Sequence, residues 1–231
     1  MDFSLTGTGP NDNIRQQVDP SFQAARVSVR PLEYSSQGAV GGHFCLAATF
    51  TTTSATVPIA GAPLFTMRWA DSRFLYVLER VTVTCGNVTT VFSAATAVAV
   101  DIIAARNFTT NPTGGTSIVL ANSAQKKRSN AMSGSLLATS GDMQISSGAG
   151  ISAGGLTLDT LPFGYAFVMA STTTIGAIGA PVSLFEIRDH GTHPMIFGNN
   201  EGFLIRNDTA FPATGIAKFG FNISWSEVPA Y

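Results

Sequence analysis

The most regular alternation of apolar and polar positions in this chain lies between residues 216 and 226. Five successive odd positions are apolar or aromatic, whereas the even positions are mainly small or polar. Successive side chains of a strand point to opposite faces, so this pattern predicts a strand with one buried face. The predicted buried positions are Ala217, Phe219, Phe221, Ile223 and Trp225.

Two shorter strands are predicted just before this one, over residues 195–198 and 202–207. Residues 211–215 read Phe-Pro-Ala-Thr-Gly, and a proline followed by a glycine favours a reversal of the chain. We therefore expect the last two strands to form an antiparallel hairpin.

Short apolar runs separated by turn-forming residues predict further strands. They cover residues 44–50, 64–70, 74–84, 98–106, 142–146, 157–161, 163–169 and 181–187. One stretch is ambiguous, because the alanines of residues 94–108 permit a helix. Its β-branched residues favour a strand over 98–106 instead. Many short strands without a long helix predict an all-β fold, a jelly-roll-like antiparallel β-sandwich.

The domain organisation follows from where the polar stretches lie. Residues 1–20 are polar and punctuated by glycine, asparagine and proline, and we expect them to form an extended N-terminal arm. Val27 and Val29 alternate with polar residues, which predicts a short edge strand ended by Pro31. No shift in composition divides the remainder, so residues 21–231 are predicted to form a single sandwich domain.

The chain is rich in apolar residues and poor in charge. Apolar residues make up 45% of it and charged residues 12%, against about 25% charged in average soluble proteins. This composition supplies a core but leaves a surface of small, uncharged side chains. We therefore expect part of that surface to be buried against other chains in an oligomer.

The charge balance and the N-terminal sequence bear on partners and location. A formal net charge of −1 disfavours a nucleic-acid partner, which needs a clear excess of lysine and arginine. No run of about eighteen apolar residues occurs, so no membrane partner is predicted. The first residues have neither the basic start nor the apolar centre of a signal peptide, which predicts a protein that folds in a reducing cytoplasm. Cys45 and Cys85 are accordingly expected to be free thiols.

One serine matches a hydrolase pattern. Gly150-Ile-Ser-Ala-Gly154 has the G-x-S-x-G spacing of a nucleophile elbow, which needs a strand, a strained turn and a helix. The pentapeptide lies in a serine- and glycine-rich loop with neither element beside it. We interpret Ser152 as a loop residue.

Two histidines and a carboxylate fall close together in Asp189-His190-Gly-Thr-His193, which invites a metal-site hypothesis. A closed zinc site needs four ligands, and a catalytic one needs three and a water. The third histidine, His43, is distant in sequence, so we interpret the histidine pair as part of a polar loop.

The remaining motifs also predict no catalytic or ligand-binding site. Lys126-Lys-Arg128 is the one basic run, and we interpret it as a solvated loop. Gly7-Thr-Gly9 follows no predicted strand and is therefore not a nucleotide-binding fingerprint. The sequence predicts no catalytic residue, no cofactor and no metal site, and hence a protein that is not an enzyme.

Three groups of segments together resemble structural proteins encoded among the head genes of tailed bacteriophages. They are Asp19-Pro-Ser-Phe-Gln-Ala-Ala-Arg-Val-Ser-Val-Arg-Pro-Leu-Glu-Tyr34, then Phe65-x-x-Arg68-Trp69-x-Asp71-x-x-Arg73, and finally Gly198-Asn-Asn-Glu-Gly-Phe-Leu-Ile-Arg206 with Pro212-Ala-Thr-Gly215 and Ser224-Trp-Ser-Glu227. The resemblance implies a virion protein on the capsid surface, made in the host cytoplasm. It further implies a head decoration or cement protein, which is commonly a jelly-roll homotrimer bound to the major capsid protein. The shell-forming coat of tailed phages has a long helix, which this sequence lacks.

On this hypothesis, the N-terminal arm and one strand-to-turn segment contact other subunits or the capsid. The residues expected to make these contacts in the segment are Phe65, Met67, Trp69, Asp71 and Arg73.

Two alternatives belong to other classes. A tail or receptor-binding module would share the β-sandwich but bind a host surface or a glycan. A hydrolase or metal-binding protein would use Ser152, or His190 with His193.

Overall fold

The structure is a computed structural model in which contacts divide the chain into two units, Met1–Gln37 and Gly38–Tyr231. The residues that it describes are 4–6, 13–15, 17–18, 25–26, 42–53, 58–95, 97–120, 134–137, 142–147, 151–152, 154–169, 175–176, 178–190 and 194–229. The predicted edge strand at Val27 and Val29 lies outside them.

In its described residues, the first unit contains two short antiparallel pairs of strands. Its strands are β1 (Ser4–Thr6), β2 (Asn13–Arg15), β3 (Gln17–Val18) and β4 (Ala25–Arg26). Strand β1 pairs with β2, and β3 pairs with β4. The extended arm over residues 1–20 stays a prediction.

Nearly all the regular secondary structure in the described part of the second unit consists of strands. They are β5 (Gly42–Thr51), β6 (Pro63–Trp69), β7 (Phe74–Thr90), β8 (Val98–Arg106), β9 (Thr116–Ser117), β10 (Met143–Ile145), β11 (Thr157–Leu158), β12 (Gly164–Met169), β13 (Val182–Glu186), β14 (Met195–Phe197), β15 (Glu201–Asn207) and β16 (Ile216–Pro229). Ile187–His190 forms a 3-10 helix. Among the described residues, no helix has the length and apolar character needed to cross a membrane.

These strands form two antiparallel sheets. In the first sheet, β13 and β14 both pair with β7, and the order continues through β16 to β5. In the second sheet, β11 and β12 both pair with β8, and the order continues through β15, β6 and β10 to β9. The prediction of an all-β antiparallel sandwich is confirmed.

The long-range strand pairs are nested about the middle of the chain. Strand β5 pairs with β16, β6 with β15, β7 with β13 and β14, and β8 with β12. Successive pairs alternate between the first and second sheets. The chain therefore follows the path of one long antiparallel ribbon wound around the core.

The core lies between the two sheets and is dominated by aromatic rings. All five odd positions predicted to be buried in β16 are buried. Tyr76 of β7 lies 6.2 Å from Phe203 of β15, and Phe65 of β6 lies 6.2 Å from Phe221 of β16, measured between ring centroids. Both pairs join the two sheets, and each fully buried ring contributes about 1.5–3 kcal/mol relative to exposure.

Strand β8 explains the ambiguous alanine-rich stretch. Its even positions, such as Ile102, face the central core, and its odd positions Ile103 and Ala105 join a second apolar cluster with Phe108 and Leu204. A strand buried on both faces has a continuous apolar sequence rather than an alternating one. The observed bounds of β8 are those predicted from the sequence.

Several strand ends differ from the predicted ones. Strand β7 continues beyond residue 84 to Thr90, because its last residues pair with the start of β16. Strand β16 likewise continues to Pro229, opposite Phe74. The predicted strand at 157–161 contains only the two residues of β11.

Candidate binding surfaces

Ser152 does not have the setting of a nucleophile elbow. It is exposed and forms an isolated antiparallel bridge with Thr113, in which each amide donates to the carbonyl of the other at 2.8 Å. No α-helix occurs in the described parts of the chain, and residue 150 lies outside them. The extended backbone at Ser152 differs from the strained strand-to-helix turn that exposes a catalytic serine.

The histidines do not assemble a metal site in the part of the chain that the structure describes. His190 ends the 3-10 helix, and His193 lies outside the described residues. No group of three or more histidine, cysteine, aspartate or glutamate residues with the geometry of a metal site occurs in the described ranges.

His43 belongs to a polar cluster that joins three strands of the first sheet. Its Nδ1 lies 2.7 Å from Ser226 Oγ and 3.1 Å from Glu79 Oε1, and Ser226 Oγ also donates to Glu79. A catalytic triad places its serine and its carboxylate on different ring nitrogens. Here Ser226 and Glu79 both contact Nδ1, so these two side chains share one ring nitrogen, and the cluster links β5, β7 and β16.

The basic run Lys126-Lys-Arg128 lies outside the described residues, as does much of the predicted arm.

The predicted contact segment divides into a buried part and an exposed part. Phe65, Met67 and Trp69 are completely buried and face the central core, so their side chains are not available to a partner. Arg73 is exposed, and its Nη2 donates to Asp71 Oδ2 at 2.8 Å. This guanidinium lowers the pKa of the Asp71 carboxyl. What the segment offers a partner is therefore the Asp71–Arg73 turn.

Glu227 is a buried carboxyl that the sequence did not indicate. It accepts hydrogen bonds from Ser135 Oγ at 2.6 Å, from the Leu136 amide at 3.0 Å and from Trp225 Nε1 at 3.1 Å. Burial raises the pKa of Glu227, and the three donors oppose this shift. The carboxyl thus ties residues 135–136 to β16.

Asp142 is another buried carboxyl. Burial raises its pKa to about 6, against the opposing charge of Arg68. Arg68 is held by the side-chain oxygens of Asn111 and Asn200, and its own Nε is buried without a hydrogen-bond partner among the described residues. The alternation pattern gave no signal for this cluster, because its members are distant in sequence.

Exposed large apolar side chains are concentrated in one stretch of the chain. Six of the nine in the described residues fall within residues 161–196, on β12, on β14 and in the turns beside β12. Strands β12 and β13 lie next to each other there, with the rings of Phe163 and Phe185 5.6 Å apart. We call these six residues the apolar surface: Leu161, Tyr165, Phe167, Ile175, Ile178 and Ile196.

Phe167 and Tyr165 are the aromatic residues of this surface. They point away from the core on the outer face of the second sheet, and Phe167 is 63% exposed. Their ring centroids are 5.4 Å apart in an edge-to-face arrangement, and Tyr165 Oη donates to Asp208 Oδ2 at 3.2 Å. The pair is therefore held in place by its own contacts.

A pocket of about 320 Å³ lies on the outer face of the first sheet. Its floor includes Gly86 and Gly220, which have no side chain to fill the space, and Ile178 stands beside it. A Cβ atom at Gly220 would lie only 2.7 Å from Thr84 Oγ1. The full lining consists of Thr49, Thr84, Cys85, Gly86, Gly176, Ile178, Lys218, Phe219 and Gly220.

The turn that carries Ile178 is fixed to the sandwich. The Gly179 amide donates to the Cys85 carbonyl at 2.8 Å, and Gly86 and Ile178 form an antiparallel bridge. A Cβ atom at Gly179 would lie 2.0 Å from the Val168 carbonyl oxygen, so only glycine fits between β12 and β7. The wall of the pocket is thereby attached to β7.

Comparisons of the chain with protein-family models, with curated proteins and with solved structures give no match in any of the three.

Proposed function

We propose that this protein is a non-enzymatic virion component of a tailed bacteriophage that binds and stabilises the capsid lattice as a head decoration or cement subunit. The observation that carries the proposal is the apolar surface. Large exposed apolar areas on a soluble protein mark interaction sites, and this stretch of the chain exposes apolar side chains at both sheets, with Tyr165 and Phe167 on the second sheet and Ile178 and Ile196 beside the first. Ile178 is 83% exposed and Leu161 76% exposed.

The nested strand pairing supports the same class of protein. Strands β5 to β8 can be numbered 1 to 4, β11 and β12 together as 5, β13 and β14 together as 6, β15 as 7 and β16 as 8. The strand order is then 1-8-3-6 in the first sheet and 2-7-4-5 in the second. We infer a jelly roll from this order, with β10 and β9 extending the second sheet beyond β6, and the jelly roll is an architecture common in viral capsid proteins. Fold alone does not assign function, so the jelly roll supports the proposal only together with the surface.

A cement protein acts through binding area rather than chemistry. Several subunits of one oligomer bind the lattice together, so a modest contact per subunit gives a high overall affinity. The low charge of the chain suits burial of a surface that is apolar or uncharged.

A receptor-binding or tail module is the second candidate, and one observation favours it. Tyr165 and Phe167 are exposed beside the carboxylate of Asp208, and aromatic rings next to polar groups suit recognition of sugars. This alternative predicts binding to a glycan instead of to a capsid.

The experiment is co-sedimentation of the purified protein with capsids of the encoding phage that lack it. We expect saturable occupancy by the wild type and at least a tenfold loss of affinity for Leu161→Asp and Ile196→Asp, since each places a charge in the apolar contact (about 1.4 kcal/mol for each factor of ten). Val119→Asp is the matched control, because Val119 is exposed outside the apolar surface. Absence of wild-type occupancy, or equal occupancy by all variants, would overturn the proposal. Deletion of residues 1–20 tests the predicted arm in the same assay.

A further inference from the structure

We propose that copies of this chain associate head to tail, with Phe167 of one copy inserted into the pocket beside Ile178 of the next. In this contact Asp208 of the first copy faces Lys218 of the second. The inference rests on the proposed function for the expectation of an oligomer and adds the residues that form the contact.

The pocket has the size and lining to accept an aromatic side chain. Pockets that hold small molecules begin at about 300 Å³, and this one measures about 320 Å³. Three of its nine lining residues are glycines, and Lys218 is the one charged residue that lines it. An uncharged ring with a negative charge beside it would match such a lining.

Phe167 has the features of a side chain that inserts into a pocket on another copy of the chain. It is 63% exposed on β12, a strand that pairs only with β8 among the described residues. The contact with Tyr165 restricts its ring before any partner binds. A side chain that is already ordered loses less conformational entropy on association.

The charges beside the two features are complementary. Asp208 is exposed next to the Tyr165–Phe167 pair, and Lys218 is exposed at the pocket. Neither forms an ion pair with any residue that the structure describes. Opposite charges across an interface orient the partners and disfavour other registers.

The two features lie on different sheets, which makes the contact intermolecular. Thr84 and Gly220 place the pocket on the outer face of the first sheet, whereas Phe167 projects from the outer face of the second. A contact between two different surfaces of identical chains is heterologous, and it closes into a ring when the rotation between copies permits. Association of this kind gives an oligomer in which each copy uses both surfaces.

The test is the mass of the purified protein over a dilution series, measured by light scattering and sedimentation velocity. We expect the wild type to be oligomeric, and Phe167→Ser to weaken association by about thirtyfold, as loss of a central aromatic does. Thr49→Trp should weaken it to a similar extent, because Thr49 lines the pocket and an indole there would occupy it. Val119→Ser is the matched control, since Val119 is exposed, follows β9 at the opposite end of the second sheet from β12 and does not line the pocket.

Charge reversal tests the orientation. Lys218→Asp and Asp208→Lys should each weaken association by about tenfold, and the double variant should recover most of the loss. Arg188→Asp, at an exposed position away from the pocket lining, should have no effect. Circular dichroism establishes that every variant is folded.

Three results would overturn the inference: a monomeric wild type, unchanged association of Phe167→Ser and Thr49→Trp, or a double reversal that recovers nothing. The capsid assay tests the proposed function independently of this contact between copies. An oligomer that obeys the variants above but never binds capsids would overturn the proposed function and leave this contact in place.

Discussion

Arg206 and Asp101 face each other on the neighbouring strands β15 and β8. Nη2 of the guanidinium lies 2.6 Å from one carboxylate oxygen and Nε lies 2.9 Å from the other. Only 8% of the Asp101 side chain and 19% of the Arg206 side chain are exposed. The charge of Asp101 is tolerated in the otherwise apolar strand β8 because Arg206 forms a bidentate hydrogen-bonded pair with both of its carboxylate oxygens.

Removing one partner of this pair should be costly. Asp101→Ala leaves the guanidinium of Arg206 buried without its counter-charge, and we expect a loss of about 3 kcal/mol in the free energy of unfolding. Urea denaturation measures it. Asp159→Ala is the comparison, because Asp159 and Arg106 are each 40% exposed and Arg106 retains Glu201. That variant should lose less than about 1 kcal/mol, and equal losses would contradict the prediction.

The free energy of unfolding should fall as pH rises through the pKa of Asp142. A salt-bridged carboxylate, whose pKa is lowered, has the opposite effect. The pKa of Asp142 is about 6 in the folded protein and about 3.9 in an unfolded chain. The folded state therefore binds more protons in this interval, and stability falls as pH rises from about 4 through 6. Asp142→Asn should be more stable than the wild type at pH 7.5 by on the order of 2 kcal/mol, with a smaller difference at pH 4.5. A difference that does not change between the two pH values would show that the carboxyl is not responsible.

Two neighbouring glycines should respond differently to a methyl group. A Cβ atom at Gly202 would lie 1.9 Å from the Met67 carbonyl oxygen, so Gly202→Ala must displace β6 or β15. We expect it to cost about 3 kcal/mol. At Gly198 the nearest atom is 3.6 Å away, and Gly198→Ala should stay within about 1 kcal/mol of the wild type. Thermal denaturation of the two variants side by side tests the contrast.

The two cysteines should differ in reactivity. Cys45 is exposed on β5, whereas Cys85 is buried and burial raises the pKa of its thiol to about 12. Because the thiolate is the reactive form, a disulfide reagent at pH 8 should titrate one thiol in the native protein and two in denaturant. Cys45→Ser should abolish the native reaction. Two reactive thiols in the folded wild type would contradict the burial of Cys85.

The strands could be predicted where one face is polar or where β-branched residues recur along the strand. The alternation in β16 identified its buried positions, and the β-branched residues of β8 identified its extent. In β6 the two faces are alike, because Leu64 and Thr66 are as buried as Phe65 and Met67. Alternation there could not indicate which side chains face the core, and the segment was interpreted as a contact surface.

The candidate surfaces could not be predicted from the sequence, for a different reason. The pocket combines residues of β5, β7 and β16 with the turn at Ile178, and only the strand pairing brings them together. The same holds for Arg68 and Asp142, which meet because β10 pairs with β6. Periodicity reports which face a side chain occupies but contains no information about its neighbour on the next strand.

The nested pairing has a consequence for how the protein is made. Strand β16 is the last strand in chain order, yet it lies in the middle of the first sheet between β5 and β7. During synthesis β5 and β7 therefore leave the ribosome long before the strand that separates them exists. The emerging chain must keep their edges and the aromatic residues of β5 from aggregating until β16 has been synthesised, and long-range pairing of this kind makes folding slow.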